Sequence, residues 1–503
     1  MPNVRLTLDP HFSVGPVSRR VFGSFVEHLG RSIYGGIYEP EHYTANDDGF
    51  RRDVIDLVRE LGISTVRYPG GNFVSGYRWE DGVGPRQDRP SRLDLAWHSI
   101  ESNDVGLDEF ARWVTEIGGE LMYAVNLGTR GVQEALDVLE YANIPAGTAL
   151  SDRRVANGSP LPHNIRIWCL GNEMDGPWQL GHGTATEYAR LAGKTARAMR
   201  QLDPALELVV CGSSSAAMPT FGEWERTVLT ETYEDVDFIS CHAYYEPQDG
   251  DFSSFLASAV SMDRFIDSVV ASADHVKAVR GSDKTMYLSF DEWNVWYQSQ
   301  YNDGEKITDA AVWPQAPRLL ENAYSAMDAV VVGGLLISLL RHADRVTAAS
   351  LAQLVNVIAP IMTEQQGPAW RQTTFYPFSI TSRLARGTVL DPKIDSPSMH
   401  TDAYGQVPMV DAVATHDEAT GNTSVFLVNR SLSEAVTISI DAGQLGIDGI
   451  QSAETLHHED FHAANTLQDQ DRVVPEPNKS AYVDNGTVTV TLPPVSWTAL
   501  ALN

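Results

Sequence analysis

Two apolar runs in this chain finish on acids: IRIWCLGNE, which ends at Asn172-Glu173, and TMYLSFDEWN, which carries Asp291-Glu292. Two carboxyl groups suffice to cleave a glycosidic bond. One protonates the leaving oxygen; the other attacks the anomeric carbon at roughly 5 Å from the first, or activates water from further away. Polar and aromatic residues close other apolar runs in the same manner: Glu27 and His28, Arg67 and Asn72, Asn126, His242 and Tyr244, Trp296, and Gln353. Carboxylates, amides and aromatics gathered at one place are the chemistry of sugar binding. For either glutamate alone, a buried acid satisfied by Arg67 or a backbone amide is the lesser reading; the pair, preceded by Asn172 and followed by aromatics, favours catalysis more strongly. A GxSxG elbow, an HExxH pair and a phosphate-cradling glycine loop are all missing, and Pro69-Gly70-Gly71-Asn72 reads as a sharp turn that brings backbone close to a ligand.

These residues need a scaffold that brings distant strand ends together. From Val21 to Ala385 short apolar runs alternate with helical stretches: VFGSFVE, ISTVRYPGGN, LMYAVNLG, IRIWCLGNE, ELVVCGSS, VDFISCHAYY, TMYLSFDEWN and a less regular eighth around LAQLVNVIA. Eight strand–helix alternations predict an α/β fold, a (β/α)8 TIM barrel over residues 21–385, whose strand C-termini form the active mouth. Glu173 and Glu292, on strands four and seven, then face each other across it. In the first helical stretch Phe50, Val54, Leu57, Val58 and Leu61 share a face, after Asp47-Asp48 and before Gly62. Residues 386–503 change to strands of period near two, broken by Gly, Asn and Pro, which predicts a C-terminal antiparallel β-sandwich. Residues 1–20 are expected to supply a strand, NVRLTLD, to that sandwich. The polar segment 454–480 reads as a long surface loop, and its His457, His458 and His462 as no metal site.

The 503 residues, 43% of them hydrophobic, are enough for one large and one smaller core. A net charge of -29, from 66 acids against 37 bases, argues against a nucleic-acid partner. The run AVVVGGLLISLL, from Ala329 to Leu340, is too short to span a membrane and is expected as a buried helix. Cys169, Cys211 and Cys241 are widely spaced and odd in number, so they read as small buried thiols of a protein in the cell interior. The N-terminal residues do not read as a secretion signal, and cytoplasmic residence is expected.

Seven ordered blocks, GSFVEHLGRSIYGGIYEP, VRYPGGNFVSGYRWEDGVGP, RLDLAWHSIESND, IWCLGNEMDGPWQLGH, ISCHAYY, LSFDEWNVWY and LAQLVNVIAPIMTEQQGPAWRQTTFYPF, resemble the signature blocks of family 51 α-L-arabinofuranosidases. The resemblance implies a retaining, exo-acting hydrolase that removes terminal arabinofuranose from arabinoxylan, arabinan or their oligosaccharides, without cofactor or metal. It assigns Glu173 as general acid/base and Glu292 as nucleophile, with Arg67 and Tyr244 as donors to Glu292. Glu27, Asn72, Asn172 and Gln353 resemble the sugar's hydroxyl contacts, Trp97, Tyr244 and Trp296 its pocket walls, and His242 a residue that orients a carboxylate. Asp175 and Asp291 receive no chemistry. A homo-oligomer, commonly a hexamer, is also implied. An endo-β-glucanase or endo-xylanase on the same barrel, and a non-catalytic sugar-binding protein, are the alternatives.

Overall fold

The computed structural model describes residues 3–503. Eight parallel strands close into a barrel. In chain order they are Gly23–Phe25, Thr65–Tyr68, Glu120–Val125, Ile167–Leu170, Glu207–Val210, Phe238–Tyr245, Tyr287–Val295 and Val346–Ala352. Strands buried on both faces need apolar residues throughout rather than alternately, and Ile167-Trp168-Cys169-Leu170 is fully covered. At the bottom of the barrel Arg20 closes the ring by pairing with Glu120 and Glu207, each at 2.6 Å.

The eighth strand lies earlier than expected: Val346–Ala352 forms it, and Leu354–Ala359 does not. Its sequence, VTAASLA, is small rather than strongly apolar, so the larger hydrophobic residues after it drew the prediction downstream. The first helix runs Arg52–Leu61, with Val54, Leu57, Val58 and Leu61 buried as expected, whereas Phe50 precedes it. The helix Ala326–Arg341 is buried along the whole of Ala329–Leu340. No helix among the described residues is long and apolar enough to cross a membrane.

Beyond the barrel, two sheets share one apolar core. A seven-stranded sheet contains Val410–His416, Thr423–Asn429, Ser496–Leu502 and Ile450–Leu456, and a five-stranded sheet contains Val436–Asp441 and Thr487–Leu492. Val4, Leu6, Ile438 and Val490 from one meet Val425, Leu427 and Leu500 from the other. Asn3–Thr7 joins the five-stranded sheet, pairing parallel with Val436–Asp441, so that sheet is mixed rather than purely antiparallel. Met1 and Pro2 lie outside the described residues.

The segment 454–480 is more than a surface loop. Its Val473 and Asn465 are buried, and the carbonyls of Phe461 and Ala463 accept the N–H groups of Met327 and Ala326. Those are among the first donors of the buried helix, which has no partners for them within its own turns. Arg341, at the other end of that helix, pairs with Asp263 of the barrel and Asp411 of the seven-stranded sheet.

Candidate active site

Strand ends deliver the acids. After Leu170 the chain turns through Gly171 at φ +90, and Glu173 itself sits at φ +42. A non-glycine residue in that region costs on the order of 1–3 kcal/mol, and such strain is typical of functional turns. On the seventh strand the pairing register slips between Phe290 and Trp293 against one neighbour, and His242 of the sixth strand pairs with Glu292 on the other side. Broken alternation explains why consecutive Asp291 and Glu292 both reach His242.

Glu292 is held on both oxygens. Arg67 Nη1 donates to Oε1 at 2.8 Å and Tyr244 Oη to Oε2 at 2.8 Å. The second arm of Arg67 donates to Asn172 Oδ1 at 2.7 Å, which fixes the amide beside the acid it precedes. Burial pushes the Glu292 carboxyl above its ordinary value, while His242, Arg67 and Tyr244 pull it back. Burial and the charge of Glu292 raise the Tyr244 phenol far above its own value, so it stays a donor.

Glu173 accepts from the Trp178 indole at 2.6 Å on Oε2, and its Oε1 lies 2.9 Å from His242 Nδ1. The other ring nitrogen of His242 is 2.9 Å from Asp291 Oδ1. Burial opposes a charge on His242, but Glu292, Asp291 and Glu173 outweigh it and raise the imidazole well above its usual value. One carboxylate oxygen of Glu173, one of Glu292 and a His242 nitrogen all lie within 4.8 Å of one another. Three such ligands suit a divalent cation in number, yet the Arg67 guanidinium already neutralises Glu292 and would repel a second cation.

A second cluster borders the pair. Glu27 Oε1 accepts from the Trp97 indole at 2.9 Å and the Phe73 backbone at 2.8 Å, and Gln353 Nε2 donates to Oε2 at 3.2 Å. Full burial pushes the Glu27 carboxyl up to about 8. Trp97 reaches it from the hairpin Arg92–Asp94 and Ser99–Glu101, and Asn72 begins the turn that follows the second strand. Trp296 packs edge-on against Tyr244 with ring centroids 4.9 Å apart.

Other strand-end candidates do structural work. Asn126 bonds the backbone of Tyr77, Gly128 and Thr129. His28 bridges Glu101 and Tyr68. Asp175 accepts from Ser214, both its backbone N–H and its hydroxyl, on the loop after the fifth strand. Sequence reasoning gave no role to Trp178 or Gln179. Gln179 accepts from Asn172 Nδ2 at 3.3 Å. The only signal for them was their place in the turn GNEMDGPWQ, because a hydrogen bond back to that turn leaves no periodicity.

Known proteins resemble the chain throughout. The model described as the alpha-L-arabinofuranosidase 1 domain matches residues 57–264, and that described as the alpha-L-arabinofuranosidase C-terminal domain matches 291–496. An exo-alpha-(1->6)-L-arabinofuranosidase of Bifidobacterium longum is 60% identical over 99% of this chain and 96% of its own length. An intracellular exo-alpha-(1->5)-L-arabinofuranosidase of Streptomyces lividans is 58% identical over 99% of this chain and 75% of its own. The solved structure of AbfB, a family 51 alpha-L-arabinofuranosidase from Bifidobacterium longum, superposes with a TM-score of 0.96 at 50% identity, covering 100% of both chains.

Proposed function

Because the chain belongs to the family 51 α-L-arabinofuranosidases, and is thus a glycoside hydrolase acting on arabinose-containing substrates, we propose that it releases terminal non-reducing α-L-arabinofuranosyl residues by a retaining double displacement. In the first step a Glu292 oxygen attacks the anomeric carbon, the bond to the leaving oxygen breaks, and Glu173 gives that oxygen its proton. In the second, Glu173 takes a proton from water, the water oxygen attacks the anomeric carbon, and the ester to Glu292 breaks.

The observation that carries this reading is the approach of the two carboxylates to within 4.8 Å. Retaining enzymes hold theirs about 5–5.5 Å apart, whereas inverting ones need roughly 6.5–9.5 Å to admit a water. Arg67 and Tyr244 suit an ionised nucleophile, since both donate to it. Asn172, fixed by Arg67, suits a contact to the sugar's O2 that strengthens in the transition state. Glu27, Asn72 and Gln353 would take other hydroxyls, and Trp97, Tyr244 and Trp296 would wall the ring.

The substrates are arabinoxylan, arabinan and their oligosaccharides. The names of the relatives, α-(1->5) and α-(1->6), support short arabinofuranosyl chain ends as one target. Relatives named intracellular and three buried free thiols support residence in the cytoplasm. A homo-hexamer follows from the family resemblance and is checked by sizing the intact protein.

NMR of the product first formed from an arabinofuranosyl oligosaccharide tests the function. Free arabinose appearing as the α-anomer is expected. The β-anomer would overturn retention, and shorter oligosaccharides without free arabinose would overturn exo action.

A further inference from the structure

Gln179 is 1% exposed and lies between two of the residues proposed to bind the sugar. Its Oε1 accepts from Asn172 Nδ2 at 3.3 Å. Its Nε2 donates to Ser75 Oγ at 2.5 Å and stands 3.5 Å from the Asn72 carbonyl oxygen. The backbone N–H of Gln179 donates to the Gly176 carbonyl at 3.0 Å, which closes a tight turn. A Cβ on Gly176 would stand 2.5 Å from Trp178 Cε2, so glycine there lets the chain fold back. Packing around the amide is close: Ser75 is fully buried, and a Cβ on Gly128 would stand 2.2 Å from the Leu180 carbonyl oxygen.

The direction of every hydrogen bond in this series is fixed by its two ends. A guanidinium can only donate, so the Asn172 atom that faces Arg67 Nη2 at 2.7 Å is its oxygen, Oδ1. The Asn172 nitrogen then faces Gln179, which must answer with its own oxygen. At the far end a backbone carbonyl can only accept, and Gln179 turns its nitrogen to it. Neither amide can flip without setting like groups against each other and leaving buried polar atoms unpaired. A carboxamide nitrogen carries two hydrogens. Gln179 takes one from Asn172, and the second has no acceptor among the described residues. The other arm of Arg67 holds Glu292 Oε1 at 2.8 Å, so this amide stands beside the proposed nucleophile.

We propose that Gln179 is a positioning residue for recognition of the sugar's 2-hydroxyl: it locks the Asn172 amide so that the free N–H donates to O2, and it ties that amide to the turn that carries Asn72. This rests on the reading of Asn172 as the O2 contact. Gln179 does not touch the substrate; it acts through Asn172. A hydrogen bond that strengthens in the transition state lowers the barrier most when its donor is already aimed, because no reorganisation is then needed. Without Gln179, one Asn172 hydrogen loses its buried acceptor, and the amide turns to find another. Ser75 completes the lock. Its Oγ holds the Gln179 nitrogen, and its carbonyl accepts from Thr129 Oγ1 at 2.7 Å. The aim of one N–H thus draws on the segments that follow the second, third and fourth barrel strands.

The test measures kcat and KM of the full-length enzyme and of Gln179→Met, Gln179→Glu, Ser75→Ala and Asn172→Ala. The substrates are an aryl α-L-arabinofuranoside and its 2-deoxy analogue, with the uncatalysed rate subtracted and thermal melts to verify folding. Gln179→Met keeps the volume but removes both the acceptor and the donor. It is expected to lower kcat/KM about tenfold on the parent glycoside, mainly through kcat, and by less than about twofold on the 2-deoxy analogue. Gln179→Glu keeps an oxygen for Asn172 whether ionised or not, and is expected to recover most of that loss. Ser75→Ala, which frees one side of the lock, is expected to cost about threefold on the parent glycoside and nothing on the analogue. In the Asn172→Ala background, Gln179→Met is expected to cost nothing further. Equal losses on the two substrates in Gln179→Met, or an added loss in the double variant, overturn the proposal and leave Gln179 only a part of the turn's packing. If Gln179→Met does not fold, Ser75→Ala carries the same comparison, and equal losses there overturn the proposal as well. Failure of the underlying reading shows in a different variant: Asn172→Ala would then lose equally on both substrates.

Discussion

His242 Nε2 lies 2.9 Å from Asp291 Oδ1 while the same ring meets Glu173 with its other nitrogen. Asp291 thus works through the imidazole, and its charge is one of those that raise the proton affinity of His242. Asp291→Asn is expected to lower kcat/KM by about 10–100-fold, from the loss of one charge-assisted hydrogen bond worth roughly 1.5–3 kcal/mol. With less negative charge beside it, the imidazolium deprotonates at lower pH, so the alkaline limb of the pH–rate profile moves down. A profile of unchanged shape would remove His242 protonation from the account.

Glu292 and Glu173 are expected to fail differently. Glu292→Ala loses at least about 10^3 in kcat on every substrate, as removal of a nucleophile does. Glu173→Ala loses far more on poor leaving groups than on good ones, and azide, which needs no general base, restores turnover of activated aryl glycosides. Equal losses across leaving groups would exchange or cancel the two roles.

Glu27 makes stability depend on pH. Its carboxyl is raised from 4.5 to about 8 by burial, so the folded state holds the proton more tightly than the unfolded one. That contribution is fully present below pH 4.5 and is lost as pH rises through about 8. Its size is on the order of a few kcal/mol. Glu27→Gln is therefore expected to lose less stability than the parent between pH 5 and 9 in urea titrations. Parallel curves would show that Glu27 is ionised throughout.

The buried helix and the C-terminal sheet meet at Gly333, where an added Cβ would stand 2.1 Å from Trp497 Cδ1. Gly333→Ala cannot be absorbed by a flexible side chain, because Trp497 is fully buried. The expected cost is about 1–3 kcal/mol of overpacking, read as a lower melting temperature. An unchanged Tm would mean that the two layers slide freely.

The architecture and the main site candidates were legible because barrel strands are continuous apolar runs and their polar endings stand out. Glu173, Glu292, Arg67, His242 and Gln353 could all be picked by that rule alone. The eighth strand was misplaced because its three alanines and one serine bury little area each, so hydrophobicity marked the wrong residues. Trp97 came only with the resemblance, since a hairpin loop carries no such signal.

Local sequence determined which residues stand at each strand's end, for strand pattern and turn chemistry act over neighbours. Only the tertiary structure decided which of them touch. Closing the barrel sets Arg67 against Glu292, 225 positions later, and Trp97 against Glu27, 70 positions earlier. The bond from Trp178 to Glu173 spans five residues, yet it too depends on a backward fold at Gly176. Hydrogen bonds are formed by distance and angle, and those belong to the folded chain.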